Sequence, residues 1–136
     1  MCAYNAHMKS NQHSLFVDVY ARCLQGASAV ELPSGMENFG ANEKALFEEI
    51  MLAWSQSNPL TVQLAMGIAK LGSPATLHKR VSRLRAMRLI DVMGVDGNRR
   101  TKYLIPSNKG LNYADSVGQA YSQSFPTLVE YSATTQ

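Results

Sequence analysis

Apolar positions recur with a helical period along most of this chain and switch to a β-like pattern in one stretch. Phe16, Val19, Tyr20 and Cys23 fall at i, i+3, i+4 and i+7, which predicts a helix over about His13 to Gln25, with Gly26 as its stop. Residues 26–41 hold Gly26, Pro33, Gly35 and Gly40 among small side chains and read as a linker or long loop. A second helix is marked by Leu46, Phe47, Ile50, Met51 and Trp54, with Asn42 as cap, Glu43 in the first turn and a stop before Pro59. Thr61 caps a third, whose Leu64, Ala65, Ile68 and Leu71 are expected to face inward up to Gly72. Ser73 then serves as N-cap and Pro74 as first residue of a fourth helix, where a missing amide proton costs nothing; it runs to about Met87.

After Met87 the period changes. Leu89 to Val95 and Thr101 to Ile105 are β-prone runs joined by Asp96, Gly97, Asn98, Arg99 and Arg100, a hairpin with a basic tip. Tyr113, Val117, Ala120 and Tyr121 predict a fifth helix over about Lys109 to Ser122, with Ser107 as a cap. This order predicts a mainly α fold, a winged helix-turn-helix with a three-helix core plus β-hairpin wing and flanking N- and C-terminal helices. Its expected divisions are 1–41, an N-terminal helix and linker; 42–108, the winged unit; and 109–136, a C-terminal helix and tail. Both end segments are expected to serve dimerisation.

Composition narrows the classes. A chain of 136 residues, 46% hydrophobic and 17% charged, suits one globular core. No run approaches the roughly 20 apolar residues of a membrane span, and Met1 to Gln12 lacks a basic region followed by an apolar one. No membrane partner is expected, and the expected location is cytoplasmic, on the bacterial nucleoid when bound to DNA. Cys2 and Cys23 make neither a metal-ligand spacing nor a disulfide framework, and His7, His13 and His78 are scattered, so no metal or cofactor is expected. There is no Gly-rich phosphate loop, no G-x-S-x-G turn and no paired His and carboxylate motif, which argues against an enzyme.

The placement of charge is more telling than its total of +3. Eight basic residues (Lys79, Arg80, Arg83, Arg85, Arg88, Arg99, Arg100 and Lys102) lie between Ser73 and Lys102 against only Asp91 and Asp96, so the rest of the chain is mildly acidic. A solvated basic helix face is one reading; a positive field aimed at a polyanion is the other. Advancing about 100° per residue from Leu77 puts Val81 and Leu84 on the core side and turns Ala75, His78, Lys79, Ser82 and Arg83 outward. Small Ala75 and Ser82 allow close approach to a groove wall, and Thr76, His78 and Lys79 near the N-terminus can donate to base edges or phosphates. Arg80 borders the core stripe and is expected to snorkel toward a phosphate. The candidate contacts to duplex DNA are therefore Ser73, Ala75, Thr76, His78, Lys79, Arg80, Ser82 and Arg83 on the helix 73–87, in the major groove. Asn98, Arg99, Arg100 and Lys102 on the wing 95–102 complete the set, on the backbone or in the minor groove.

Leu60 to Gly110 resembles the winged helix-turn-helix domain of the multiple-antibiotic-resistance-regulator (MarR) family. The matching elements are Ser73, Thr76, Leu77 and Lys79 of a recognition helix; Arg83, Leu84, Leu89 and Ile90; a wing with Asp96, Arg99, Arg100 and Lys102; and Ser107, Lys109 and Gly110 at a helix start. Arg88 stands where that family has the Gly ending the recognition helix, and Asn98 where an Asp braces the wing arginine. The resemblance implies a homodimer joined through its terminal helices, binding duplex DNA as a transcriptional regulator, with repression the expected action and a small-molecule effector of unknown identity. A winged-helix module for protein contacts, or for replication or partition without operator recognition, is the alternative, since fold alone does not set function. His78 either reads a guanine edge or sits solvated. Cys23 either senses peroxide, as in some regulators of this resemblance, or packs as a plain thiol in an apolar stripe, which is the reading adopted.

Overall fold

The structure is a computed structural model that describes residues 15–125. The helix start at His13 and Ser14, Cys2, His7 and the tail from Pro126 lie outside the described residues. Five α-helices are present among them: α1 (Leu15–Ala29), α2 (Ala41–Ser55), α3 (Val62–Met66), α4 (Pro74–Ala86) and α5 (Asn108–Ser122). A 3-10 turn over Ala69–Leu71 follows α3, and the antiparallel strands β1 (Ile90–Val95) and β2 (Asn98–Pro106) follow α4. The chain divides into a unit of residues 32–114 and a second unit combining the segments before and after it, so α5 begins in one and ends in the other.

The central unit is held by aliphatic side chains from several of its elements. Leu46 and Ile50 of α2, Leu77 and Leu84 of α4, Leu89 before the wing and Leu104 of β2 are all fully buried. Each such side chain contributes about 1.5–3 kcal/mol relative to an exposed one. Residues 32–40 are not a passive linker. Met36 is fully buried, and the Phe39 ring stands edge-on to Tyr113 at 5.4 Å and to Phe47 at 6.1 Å. Isolated apolar residues among glycines carry no periodicity, so their burial is invisible to pattern reading.

Local chemistry explains the helix ends. Gly40, not Asn42, is the N-cap of α2 and offers no side chain; Glu43 at the third helical position reaches back to the Gly40 amide, half of a capping box. Thr61 caps α3 as expected, accepting from the Leu64 amide at 3.0 Å. α3 stops at Gly67, where the expected single helix breaks into a short helix and a 3-10 turn. Ala65 is the residue of this helix that is buried, and Leu64, one step of about 100° away, is turned out to solvent, 61% exposed, instead of facing inward. Both α2 and α4 end in Schellman motifs whose left-handed residue is not glycine. Ser57 (φ +59) and Arg88 (φ +60) occupy that position, and Leu89 N–H donates to Leu84 O at 3.0 Å around Arg88.

The β1–β2 register pairs Ile90 with Pro106 and Gly94 with Lys102, then breaks in a bulge before Val95 pairs with Asn98. β2 therefore starts at Asn98, earlier than expected, with Arg99 and Arg100 in the bulged segment. Leu60 O accepts from Leu104 N at 2.8 Å and Thr61 bridges to Tyr103, which fastens the start of α3 to the wing. Gly110 has to be glycine: a Cβ there would lie 2.2 Å from Leu89 O. In the other unit, α1 runs through Gly26 to Ala29 and so overruns its expected stop; a Cβ at Gly26 would meet Ala120 O of α5 at 3.3 Å. That glycine marks close helix packing and not a helix end.

Candidate nucleic-acid interface

α4 starts as a well-capped helix. Ser73 Oγ accepts from the Thr76 amide at 3.2 Å and donates to Thr76 Oγ1 at 2.9 Å, with Pro74 opening the first turn. Leu77, Val81 and Leu84 bury one side, so the opposite side must face solvent, and Ala75, His78, Lys79 and Ser82 are exposed there. The Ser82 hydroxyl donates back to His78 O at 3.0 Å, leaving its lone pairs available to a donor. This face offers cation, imidazole and hydroxyl groups on a narrow surface with small residues between them.

Two of the expected contacts are engaged inside the protein. Arg80 is half-buried and its Nη1 donates to Leu71 O at the end of the 3-10 turn. Arg83 Nη1 lies 2.9 Å from Glu43 Oε1 across to α2; the arginine side chain is 58% exposed, the glutamate 8%. Burial pushes the Glu43 carboxyl up, but the hydrogen bond from Arg83, the backbone amides of Glu43 and Gly40 and the Arg83 charge outweigh it and hold the group below its ordinary 4.5. A charge pattern shows Arg83 as a basic residue on an outward face; only the approach of α2 supplies its partner. Glu43 was legible as a first-turn acid and not as an anchor for α4.

The wing tip is organised by Asn98. Its Oδ1 accepts from the Arg100 amide at 3.0 Å and the Thr101 amide at 3.3 Å, and its Nδ2 donates to Thr101 Oγ1 at 2.8 Å. These bonds pin the bulge after the Asp96-Gly97 turn, where Gly97 takes φ +83. Arg99, Arg100 and Lys102 all stand exposed on this braced ribbon. Lys109, at the start of α5, donates to Met87 O at 2.9 Å and Ser34 O at 2.6 Å, closing the end of α4 against the loop before α2. An open, mostly apolar cleft lined by Trp54, Pro59, Met93 and Ile105 shares no residue with α4 or the wing tip.

Helices α2, α3 and α4 with the attached hairpin make this a winged helix-turn-helix protein. Solved structures share the fold. The crystal structure of RV1404 from Mycobacterium tuberculosis aligns with a TM-score of 0.56 at 19% identity, over 83% of this chain and 70% of that one. A glycine-to-lysine mutant of MepR from S. aureus aligns with a TM-score of 0.52 at 16% identity, over 96% of this chain and 83% of that one. AbsC, a MarR family transcriptional regulator from Streptomyces coelicolor, aligns at 0.46 with 17% identity over 91% and 74%, a likeness too loose to argue from. Neither a family model nor a curated protein matches the sequence. No helix among the described residues is long and apolar enough to cross a membrane.

Proposed function

We propose that this chain is a MarR-like, sequence-specific regulator of transcription that binds duplex DNA as a homodimer and acts by steric repression. The observation that carries the reading is the capped helix α4, exposing Ala75, His78, Lys79 and Ser82 beside a wing whose Arg99, Arg100 and Lys102 are presented on an Asn98-pinned bulge. A helix of this kind docks its N-terminal half against base edges in the major groove, while the wing cations neutralise phosphates or enter the minor groove. Asn98 contributes by holding the wing, and Ser73 and Thr76 by holding the helix start.

The dimer reading rests on α1. None of its residues is buried, and Phe16, Tyr20 and Leu24 are 73%, 66% and 51% exposed. An apolar helix face of that kind calls for a second copy to cover it, and two copies would read a pseudo-palindromic site. Selection of bound sequences from random duplex DNA tests the proposal. The expected result is a two-fold symmetric site whose preference weakens in His78→Ala and Lys79→Ala, with random-duplex affinity little changed. Failure to bind any duplex at low salt would remove the DNA reading in favour of a protein-contact, replication or partition module.

A further inference from the structure

The flank of α4 between its buried and exposed sides carries Thr76, Arg80 and Arg83, which steps of about 100° bring within roughly 60° of one another. Neither arginine simply waits there for an anion. Arg80 Nη1 bonds the Leu71 carbonyl, at the turn that leads into the helix. Arg83 Nη1 bonds Glu43, buried in the first turn of α2. The two ties leave the helix one turn apart and run to different elements, so together they resist both rotation about the helix axis and tilt. The turn sits tight against the same flank: at Gly72, φ +142, a Cβ would lie 3.3 Å from Thr76 Cγ2 and 3.6 Å from Arg80 Nη1.

We propose that Arg80 and Arg83 are positioning residues that set the rotation of the recognition helix, with Glu43 as the anchor of Arg83, and that neither serves as a phosphate ligand. A phosphate drawing Arg83 away would leave the buried Glu43 carboxylate without its cation, which is costly. A planar guanidinium with several fixed donors suits a bracket between elements better than a flexible ammonium does. In this assignment the phosphate-neutralising cations of the interface are the wing residues Arg99, Arg100 and Lys102.

The first test uses the free full-length protein and needs no DNA, so it is separate from the reading above on which the role in recognition rests. Side-chain NMR at low temperature should show slowed rotation of the Arg80 and Arg83 guanidinium groups and averaged signals for Arg99; averaging at Arg80 and Arg83 overturns the proposal. The second test measures binding to a random duplex and to a selected site as salt is varied. Arg80→Gln and Arg83→Gln should change the random-duplex salt slope by less than about half a unit, against about one unit for Arg99→Ala. Preference for the selected site should fall about tenfold in each of the two Gln variants.

Glu43→Gln gives the sharper sign. Removing an acid next to Arg83 should strengthen random-duplex binding while the preference for the selected site falls about tenfold. If Arg83→Gln does not fold, Arg83→Lys replaces it, with the slope kept and the preference lost. A slope lower by a full unit in Arg80→Gln or Arg83→Gln, or an unchanged preference in Glu43→Gln, overturns the proposal. If the wild-type chain binds no duplex, the DNA reading fails and the guanidinium NMR alone decides the brackets.

Discussion

Gly110→Ala is the substitution whose cost follows most directly from the structure. The added Cβ would lie 2.2 Å from Leu89 O and 3.2 Å from both Leu89 C and Phe47 Cε2. The nearest atom is backbone, and the Leu89 carbonyl already accepts from Ser107 N at 2.9 Å, so it cannot retreat without weakening that bond. Overpacking of this kind costs about 1–3 kcal/mol, and a weakened hydrogen bond adds about 0.5–1.5 kcal/mol. Alanine returns up to about 1 kcal/mol of helix propensity. The expected net loss is about 2–3 kcal/mol, which lowers the thermal midpoint by about 10–20 °C for a unit of this size. Gly118→Ala in the same helix is the control, because nothing lies within 4 Å of its Cβ position. It should leave stability unchanged or raise it by up to about 1 kcal/mol. Urea and thermal denaturation followed by circular dichroism measure both variants. If Gly110→Ala is as stable as wild type to within about 0.5 kcal/mol, the close approach of α5 to Leu89 is not as described.

Arg88→Gly should stabilise the fold by up to about 1 kcal/mol in the same denaturation assay, because a non-glycine residue at φ +60 costs about 1–2 kcal/mol and glycine carries only an entropic penalty; a loss of stability would show that the Arg88 side chain matters more than its backbone. Glu43 has a folded-state pKa below its ordinary 4.5, so it contributes stability above that value which is lost as pH falls through the folded pKa. Denaturation midpoints between about pH 5 and about pH 3 should therefore fall less steeply in Glu43→Gln than in wild type, and parallel curves would contradict the buried ion pair. Phe16→Asp should convert a sedimenting dimer to a monomer at micromolar concentration, and a wild-type monomer would dismiss the role given to α1.

The parts legible from sequence are those whose causes lie within a few residues. Ser73 beside Pro74 starts α4 because a hydroxyl and a missing amide proton act on the same turn, and the Thr61 and Ser107 hydroxyls alone accept first-turn amides of α3 and α5. Leu77, Val81 and Leu84 fall on one side of a helix by period alone, and that placement also exposes Ala75, His78, Lys79 and Ser82. Tertiary structure decided whatever depends on a partner remote in the chain. Gly26 can end a helix or admit a neighbour, and only the approach of Ala120 shows which. Met36 and Phe39 look like linker residues until the core they fill is present. Arg83 is one more cation on a basic helix until α2 brings Glu43 to 2.9 Å. Local propensity and periodicity act over one or two turns, whereas close packing and ion pairing require two segments to meet, and a linear pattern does not encode which segments those are.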